Sequence, residues 1–311
     1  MRAIVVRKSG GPEVLEMVEV PLPPAGTGQI RIRVAAAAVN PVDIATRSGL
    51  LIESGLMPAR EVTGIGWDVA GTVDEAGPGV THFAPGDQVI GLRDRLDVPL
   101  GTYAEYVTLD ATAVAPAPAG ISAAEAATIP LNGLTALQAL DALDLGPGAT
   151  LLVTGAAGAV GGFAVELAAR RGIRVAASAG AADEPFVRAA GAHWFVPRGD
   201  DLADRVRELV PGGVDAVLDA AVLGTAVQGA LRNRGSFASV VAGGAPVPLR
   251  GSTVTEVWVA ADPAGLAHLS SLAAQGQLTL RVADTLPLEQ AVLAHTRLSR
   301  GGIRGRLVLT P

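Results

Sequence analysis

The stretch Leu151-Leu152-Val153-Thr154-Gly155-Ala156-Ala157-Gly158-Ala159-Val160-Gly161-Gly162 decides the fold. Its apolar start reads as a buried strand, its end opens an amphipathic helix, and the glycines between them mark a turn. Gly155 permits a tight turn. Gly158 or its neighbour lets the backbone approach a pyrophosphate, and Gly161 lets the helix pack closely on the strand, so that helix amides and dipole face an anion. Gly155, Ala156, Ala157, Gly158, Ala159, Val160 and Gly161 are therefore the expected contacts of a dinucleotide. A turn that only packs a strand on a helix is the competing reading; a second strand about 20 residues on favours the dinucleotide.

Outward from this loop, strands and helices alternate. Strand Thr150 to Val153 is followed by helix Val160 to Arg170, strand Arg174 to Ala177, helices Pro185 to Ala190 and Leu202 to Leu209, and strands Ala216 to Asp219 and Ser236 to Val241. Such alternation predicts right-handed crossovers and a doubly wound parallel α/β sheet. The second strand runs out in Ser178-Ala179-Gly180, where an NAD site usually carries an acid against the ribose hydroxyls. With Ser178 and Gly180 there instead, a 2′-phosphate is not repelled and NADPH is the expected cofactor. Asp183 and Glu184 weigh against this, and Arg188 is either a helper or a solvated helix charge. Ala242, Gly243 and Gly244 follow the strand Ser236 to Val241 at the carboxyl edge, where the nicotinamide side is expected.

The flanks are β-rich. Ala3 to Val6, Leu15 to Val20, Gln29 to Ala38, Val69 to Val73, Gln88 to Gly91 and Tyr103 to Val107 read as strands. The end of the chain adds strand Thr253 to Val259, helix Pro263 to Ala274, strand Leu278 to Asp284, helix Leu288 to Leu298 and strand Gly305 to Leu309. A domain of residues 1–117 and 263–311, with a nucleotide-binding domain of 118–262 inserted, explains the pattern. Ala115-Pro116-Ala117-Pro118 is the expected hinge, and Ser122 with Glu125 makes a capping box just beyond it.

Composition narrows the chemistry. The 311 residues suit two domains of about 100 to 200 residues each. With 24 basic and 30 acidic side chains the net charge is -6, so a nucleic-acid partner is not expected. Zero cysteines exclude disulfides, thiolate metal sites and thiolate nucleophiles together. His82, His193, His268 and His295 fall in different elements, so no metal site is expected. Lys8 is the only lysine, and no Gly-x-Ser-x-Gly elbow exists. Leu145 to Val165 carries no charge and is long enough to span a bilayer, but its glycines and Pro147 break it. With no apolar signal core between Met1 and Gly11, a cytoplasmic protein without a membrane partner is the expectation.

Seven ordered segments carry a family resemblance: Ala36 to Gly49 (AAAVNPVDIATRSG), Gly66 to Val73 (GWDVAGTV), Pro85 to Gly91 (PGDQVIG), Gly101 to Val107 (GTYAEYV), Ala126 to Ala136 (AATIPLNGLTA), the glycine loop, and Gly301 to Leu309 (GGIRGRLVL). Together they resemble the medium-chain dehydrogenase/reductase superfamily, within it the zinc-free quinone oxidoreductase, zeta-crystallin-like branch. The resemblance covers essentially the whole chain and implies a GroES-like catalytic domain plus a Rossmann domain.

In the zinc-dependent cousins a Cys and a Gly-His-Glu stretch hold catalytic zinc; Asn40 and Gly66-Trp67-Asp68 occupy the similar places here. The resemblance thus implies hydride transfer without metal to a quinone or an α,β-unsaturated carbonyl. By similarity Asn40 lies beside the nicotinamide as an amide donor, although an Asn-Pro turn initiator is an equal reading. Asp43 is a second candidate catalytic contact, though an N-cap role suits it as well, and Arg47 reads as a solvated helix charge. Thr135 matches a family position near the nicotinamide ribose phosphate. Ala45 stands where the branch often has a tyrosine, leaving the proton donor open and an NADPH-binding protein with little activity as the alternative. Strand 253–259 resembles the family's edge strand that pairs across a homodimer axis.

Overall fold

Leu151, Leu152 and Val153 are wholly buried, so the strand Thr150–Thr154 lies inside a sheet covered on both faces. That sheet has six parallel strands in the spatial order Trp194–Pro197, Arg174–Ala179, Thr150–Thr154, Val214–Asp219, Leu231–Ser239 and Thr253–Glu256. The chain steps outward from Thr150–Thr154 in one direction and then returns to its other side. Thr150–Thr154 and Val214–Asp219 are thus neighbours at the topological switch point, where doubly wound sheets open a crevice for ligands. Leu152, Val196, Val206, Val217 and Phe237 pack the core below it, and truncating Phe237 to alanine costs ~3–5 kcal/mol.

The computed structural model describes residues 1–311. Its compact units are Met1–Leu131 with Ala260–Gly276 and Leu280–Pro311, and Asn132–Val259 with Gln277–Thr279. In the first unit, strand Gln29–Ala38 buries Ile30, Ile32 and Val34 and turns Arg33 to water. It is the centre of a seven-stranded sheet. Asp68–Ala76 and Tyr106–Asp110 pair with it antiparallel, as does the C-terminal strand Arg306–Thr310. Gln88–Leu92, Val114–Pro116 and Val282–Pro287 complete this sheet. Arg2–Val6, Glu16–Glu19 and Thr63–Gly64 make a smaller three-stranded one.

Several expectations shift. Ala115 and Pro116 are no hinge: they pair with Ile90 and Val89, and Ala117 donates to the Gln88 carbonyl. Pro116 ends its strand, where the missing N–H costs no ladder bond. The units part instead between Leu131 and Asn132, inside the helix Pro130–Leu143. Helix Pro263–Ala274 lies in the first unit, as expected, with Ser270 Oγ donating to the Pro116 carbonyl at 2.8 Å. The strand expected from Tyr103 begins at Tyr106, because Tyr103 bonds Ile65 and Ile4 through its backbone. The strand expected from Leu278 begins at Val282. The four-residue strand Trp194–Pro197 was hidden, being short. Leu145 to Val165 resolves into strand, turn and helix, and no helix is long and apolar enough to cross a membrane.

Candidate active site

In the second unit the glycine loop takes the shape its residues demand. Gly155 has φ +60°, a left-handed turn that glycine adopts without strain. A Cβ on Gly161 would lie 2.2 Å from the Gly155 carbonyl oxygen, so only glycine lets helix Ala159–Arg170 approach the turn. Gly158 caps that helix without a side chain, leaving the first-turn amides of Ala159, Val160 and Gly161 uncovered by any cap. The Ala156 amide is different: it donates to the Ser178 carbonyl at 3.0 Å, and Ala156 is fully buried. That bond fastens the loop to the neighbouring strand. Ala157 lies between Ala156 and the cap.

At the end of strand Arg174–Ala179, Ser178 is only 2% exposed and reaches the loop through its carbonyl. Gly180 follows at the rim. Arg188 pairs with Glu184 one helical turn away on an exposed face. The residue that sequence reading missed is Arg198. Its backbone N–H donates to the Ala179 carbonyl at 2.9 Å, and its guanidinium carbon is 3.8 Å from where a Gly180 Cβ would stand. Asp183 Oδ2 is 3.2 Å from the same point. Pairing of Trp194–Pro197 beside Arg174–Ala179 creates this neighbourhood, and that strand was the one not foreseen.

Beyond strand Leu231–Ser239, Gly243 has φ +72° and gives its amide to Glu256 Oε2, while the Gly244 amide goes to the Val241 carbonyl. Ala242 is exposed between that strand and Gly243. Thr135 is buried in helix Pro130–Leu143.

In the first unit Asn40 is the N-cap of helix Pro41–Ser48 and Asp43 is its N3 residue. Asp43 therefore completes a capping box rather than being the cap itself. Asp43 Oδ2 accepts the Asn40 amide N–H at 2.7 Å and the Tyr103 hydroxyl at 3.0 Å. Asn40 Nδ2 donates to Asp68 Oδ2 at 2.6 Å and to the Ala38 carbonyl at 3.4 Å. Both protons of that amide point into the protein, which corrects the expectation of Asn40 as a donor toward substrate. Asp68 Oδ1 takes the Leu131 amide at 2.6 Å.

Asn40, Asp43 and Asp68 are completely buried. Burial raises both carboxyls to about 7, against hydrogen bonds that favour their anions and the charges of Arg93 on Asp43 and Arg306 on Asp68. Asp43 Oδ1 makes no hydrogen bond of acceptable geometry, although the Gly66 amide is near enough to favour the anion. Arg47 is buried too, not solvated; its Nη1 is 3.4 Å from His295 Nδ1, and burial with the Arg47 charge lowers His295 to about 3.

The residues do not fit zinc. No group of three or more His, Cys, Asp or Glu side chains converges on one point, and Asn40 and Asp68 bond each other. They do fit a dinucleotide, because the Gly158 position carries no side chain and a Cβ there would meet only the Gly155 carbonyl, at 3.0 Å. Gly155 to Gly161 would hold the pyrophosphate, which makes the loop the cradle.

Residues 26–119 match the alcohol dehydrogenase GroES-like domain, and residues 190–309 match the family called zinc-binding dehydrogenase. A crystal structure of an NAD-dependent alcohol dehydrogenase is 33% identical over 100% of both chains, with a TM-score of 0.89. The quinone oxidoreductase of Coxiella burnetii is 30% identical over 100% of this chain and 99% of its own, with a TM-score of 0.88. A mycobacterial protein solved with NADPH is 31% identical over 100% of both chains, with a TM-score of 0.84. Among curated relatives, the chloroplast envelope quinone oxidoreductase homolog of Arabidopsis thaliana is 37% identical over 59% of this chain and 56% of its own. A pikromycin polyketide synthase component of Streptomyces venezuelae is 39% identical over 63% of this chain, which spans only 5% of that protein. With the GroES-like and dehydrogenase matches in order along one chain and full-length quinone oxidoreductase relatives, this protein belongs to the quinone oxidoreductase branch of the medium-chain dehydrogenase/reductase superfamily.

Proposed function

We propose that this oxidoreductase reduces a quinone or an α,β-unsaturated carbonyl with NADPH and without zinc. The observation that carries the reading is the 2.6 Å bond between Asn40 Nδ2 and Asp68 Oδ2. Two side chains at places similar to the zinc ligands of related dehydrogenases satisfy each other instead of facing a metal. A conjugated acceptor does not need a Lewis acid: the charge that develops on its oxygen can be met by positioned dipoles and a proton. Bound NADPH supplies the hydride. Asp43, raised by burial to about 7, carries a proton in about half of the molecules at neutral pH, in the range suited to a general acid. The glycine loop favours a dinucleotide, and the absence of an acid at Ser178 to Gly180, with Arg198 beside it, supports the 2′-phosphate form.

Following NADPH absorbance with a panel of quinones and enones, with and without chelator, tests this. Turnover insensitive to chelator is expected; inactivation by chelator with recovery on adding zinc overturns the reading. The commitment of both Asn40 amide protons gives specific support to a second reading, a cofactor-binding protein with little activity. NADPH binding without turnover on any acceptor would select it.

A further inference from the structure

Thr154 and Asp219 are the last residues of the two central strands, and they bond each other across the switch point: Thr154 Oγ1 donates to Asp219 Oδ1 at 2.5 Å. Asp219 is fully buried, yet its carboxylate does more than join the strands. Oδ1 also accepts the Ala221 amide at 3.3 Å, and Oδ2 accepts the Gly224 amide at 2.7 Å. Ala221 shares its proton with Thr154 Oγ1 at 3.1 Å. One side chain thereby pins both ends of the loop that leaves the strand.

Between the pinned amides the backbone is forced. Val222 has φ +58°, in the left-handed region where a β-branched residue is a genuine outlier. Gly224 follows at φ +51°. Strain of this kind persists only where surrounding bonds over-determine it, and it gathers at ligand clamps. The forced turn leaves Val222 50% and Leu223 37% exposed. The loop packs on its neighbours on both sides: a Cβ on Gly155 would lie 3.2 Å from the Ala220 carbonyl, and one on Gly244 would lie 3.1 Å from Val222 Cγ1. Three carboxyl-edge loops thus interlock around Asp219, at the crevice where a doubly wound sheet takes its ligand.

We propose that Asp219 is a positioning residue, whose carboxylate fixes the Ala221–Gly224 loop as an apolar wall against which the nicotinamide half of the cofactor docks. The inference rests on reading the glycine loop as a dinucleotide cradle. In this proposal the cradle takes the pyrophosphate through the amides of its own helix, and Asp219 acts on the nicotinamide half. Asp219→Asn replaces one acceptor by a donor and releases one end of the loop. Val222→Gly keeps every Asp219 bond, removes the apolar wall and adopts φ +58° without strain.

The full chain is titrated by fluorescence with NADPH and with 2′,5′-ADP, which lacks the nicotinamide half. Both variants are expected to bind NADPH about tenfold more weakly and 2′,5′-ADP as the parent does. Hydrogen exchange at the Ala221 and Gly224 amides should accelerate in Asp219→Asn and not in Val222→Gly. Equal losses for both ligands would mean a general structural role and overturn the proposal, as would unchanged NADPH affinity in folded Val222→Gly. A parent that binds neither ligand overturns the dinucleotide reading itself, which keeps the two failures apart.

Discussion

Asn40 lies between two buried carboxyls, donating its backbone N–H to Asp43 and its side-chain amide to Asp68 at 2.6 Å. Asp43 in turn takes the Tyr103 hydroxyl, and Arg93 and Arg306 offset the negative charge from further off. An uncompensated buried charge costs several kcal/mol, which is why burial raises both carboxyls while the arginine charges oppose the rise.

The pH dependence follows from the sign of these shifts. Asp43 and Asp68 have folded values of about 7, raised chiefly by burial from 3.8. Their contribution to stability is full below about 4 and is lost as pH rises through about 7, by at most ~1.4 kcal/mol per pH unit for each carboxyl. Glu105, Asp215 and Asp284 are held low and act oppositely, losing their contribution on acidification. Tm should therefore decline as pH rises from about 4 to about 7 and level off above that. Asp43→Asn, whose Oδ1 can accept both of the existing bonds, should decline less steeply. The same slope in parent and variant would reject the assignment. In turnover, parent kcat should fall above pH 7, whereas the variant should be slow and flat.

Arg198 and Asp183 approach the same point over Gly180 from two segments. An arginine there favours a 2′-phosphate and an acid favours ribose hydroxyls. Arg198→Ala should weaken NADPH about tenfold or more while leaving NADH within about threefold; Asp183→Asn should strengthen NADPH. Titration of both nucleotides against each variant decides it. An unchanged NADPH to NADH ratio in Arg198→Ala would remove this arginine from the site.

The glycine loop was legible because its conformation is written in residue type: Gly155 takes a positive φ that favours glycine, and Gly161 packs too close to the Gly155 carbonyl for a side chain. The sheet of the first unit was legible through alternation, as in Ile30, Ile32 and Val34. Arg198 was not, because its importance comes from a strand pairing over non-local distance, Ser178 to Val196. The Asn40, Asp68 and Tyr103 network escaped for the same reason: bonds spanning 28 and 60 residues in sequence leave no local period. Arg47 was misjudged because a charge on a short helix usually faces water, whereas His295 and its helix cover this one.

Strand Thr253–Glu256 is the outer strand of the six-stranded sheet, with one row of backbone groups open to pairing. Val247, Leu249 and Trp258 beside it are 73%, 51% and 53% exposed. A second copy pairing along this edge would cover both the amides and the apolar side chains. Sedimentation at micromolar concentration should give a dimer, and Trp258→Glu should shift it toward monomer. A parent that sediments as a monomer would end this reading.

Two neighbouring glycines separate the demands of folding from those of binding. Gly158 is extended, with φ -75° and ψ -179°, which any residue adopts, and a Cβ there meets only the Gly155 carbonyl at 3.0 Å. An aspartate at that N-cap would even improve the helix start. Its charge would also stand where the pyrophosphate belongs. Gly158→Asp should therefore keep Tm within a degree or two of the parent while weakening NADPH binding by more than tenfold. Gly161→Ala presents the opposite case. Its Cβ would lie 2.2 Å from the Gly155 carbonyl and 2.7 Å from its carbon, backbone that cannot turn aside as a side chain would. Helix Ala159–Arg170 must then move off the turn, and overpacking of this kind costs ~1–3 kcal/mol. Tm should fall first, with binding lost as a consequence. If Gly158→Asp binds NADPH as the parent does while Gly161→Ala unfolds early, the loop serves only to pack helix on strand, and the dinucleotide must be sought elsewhere.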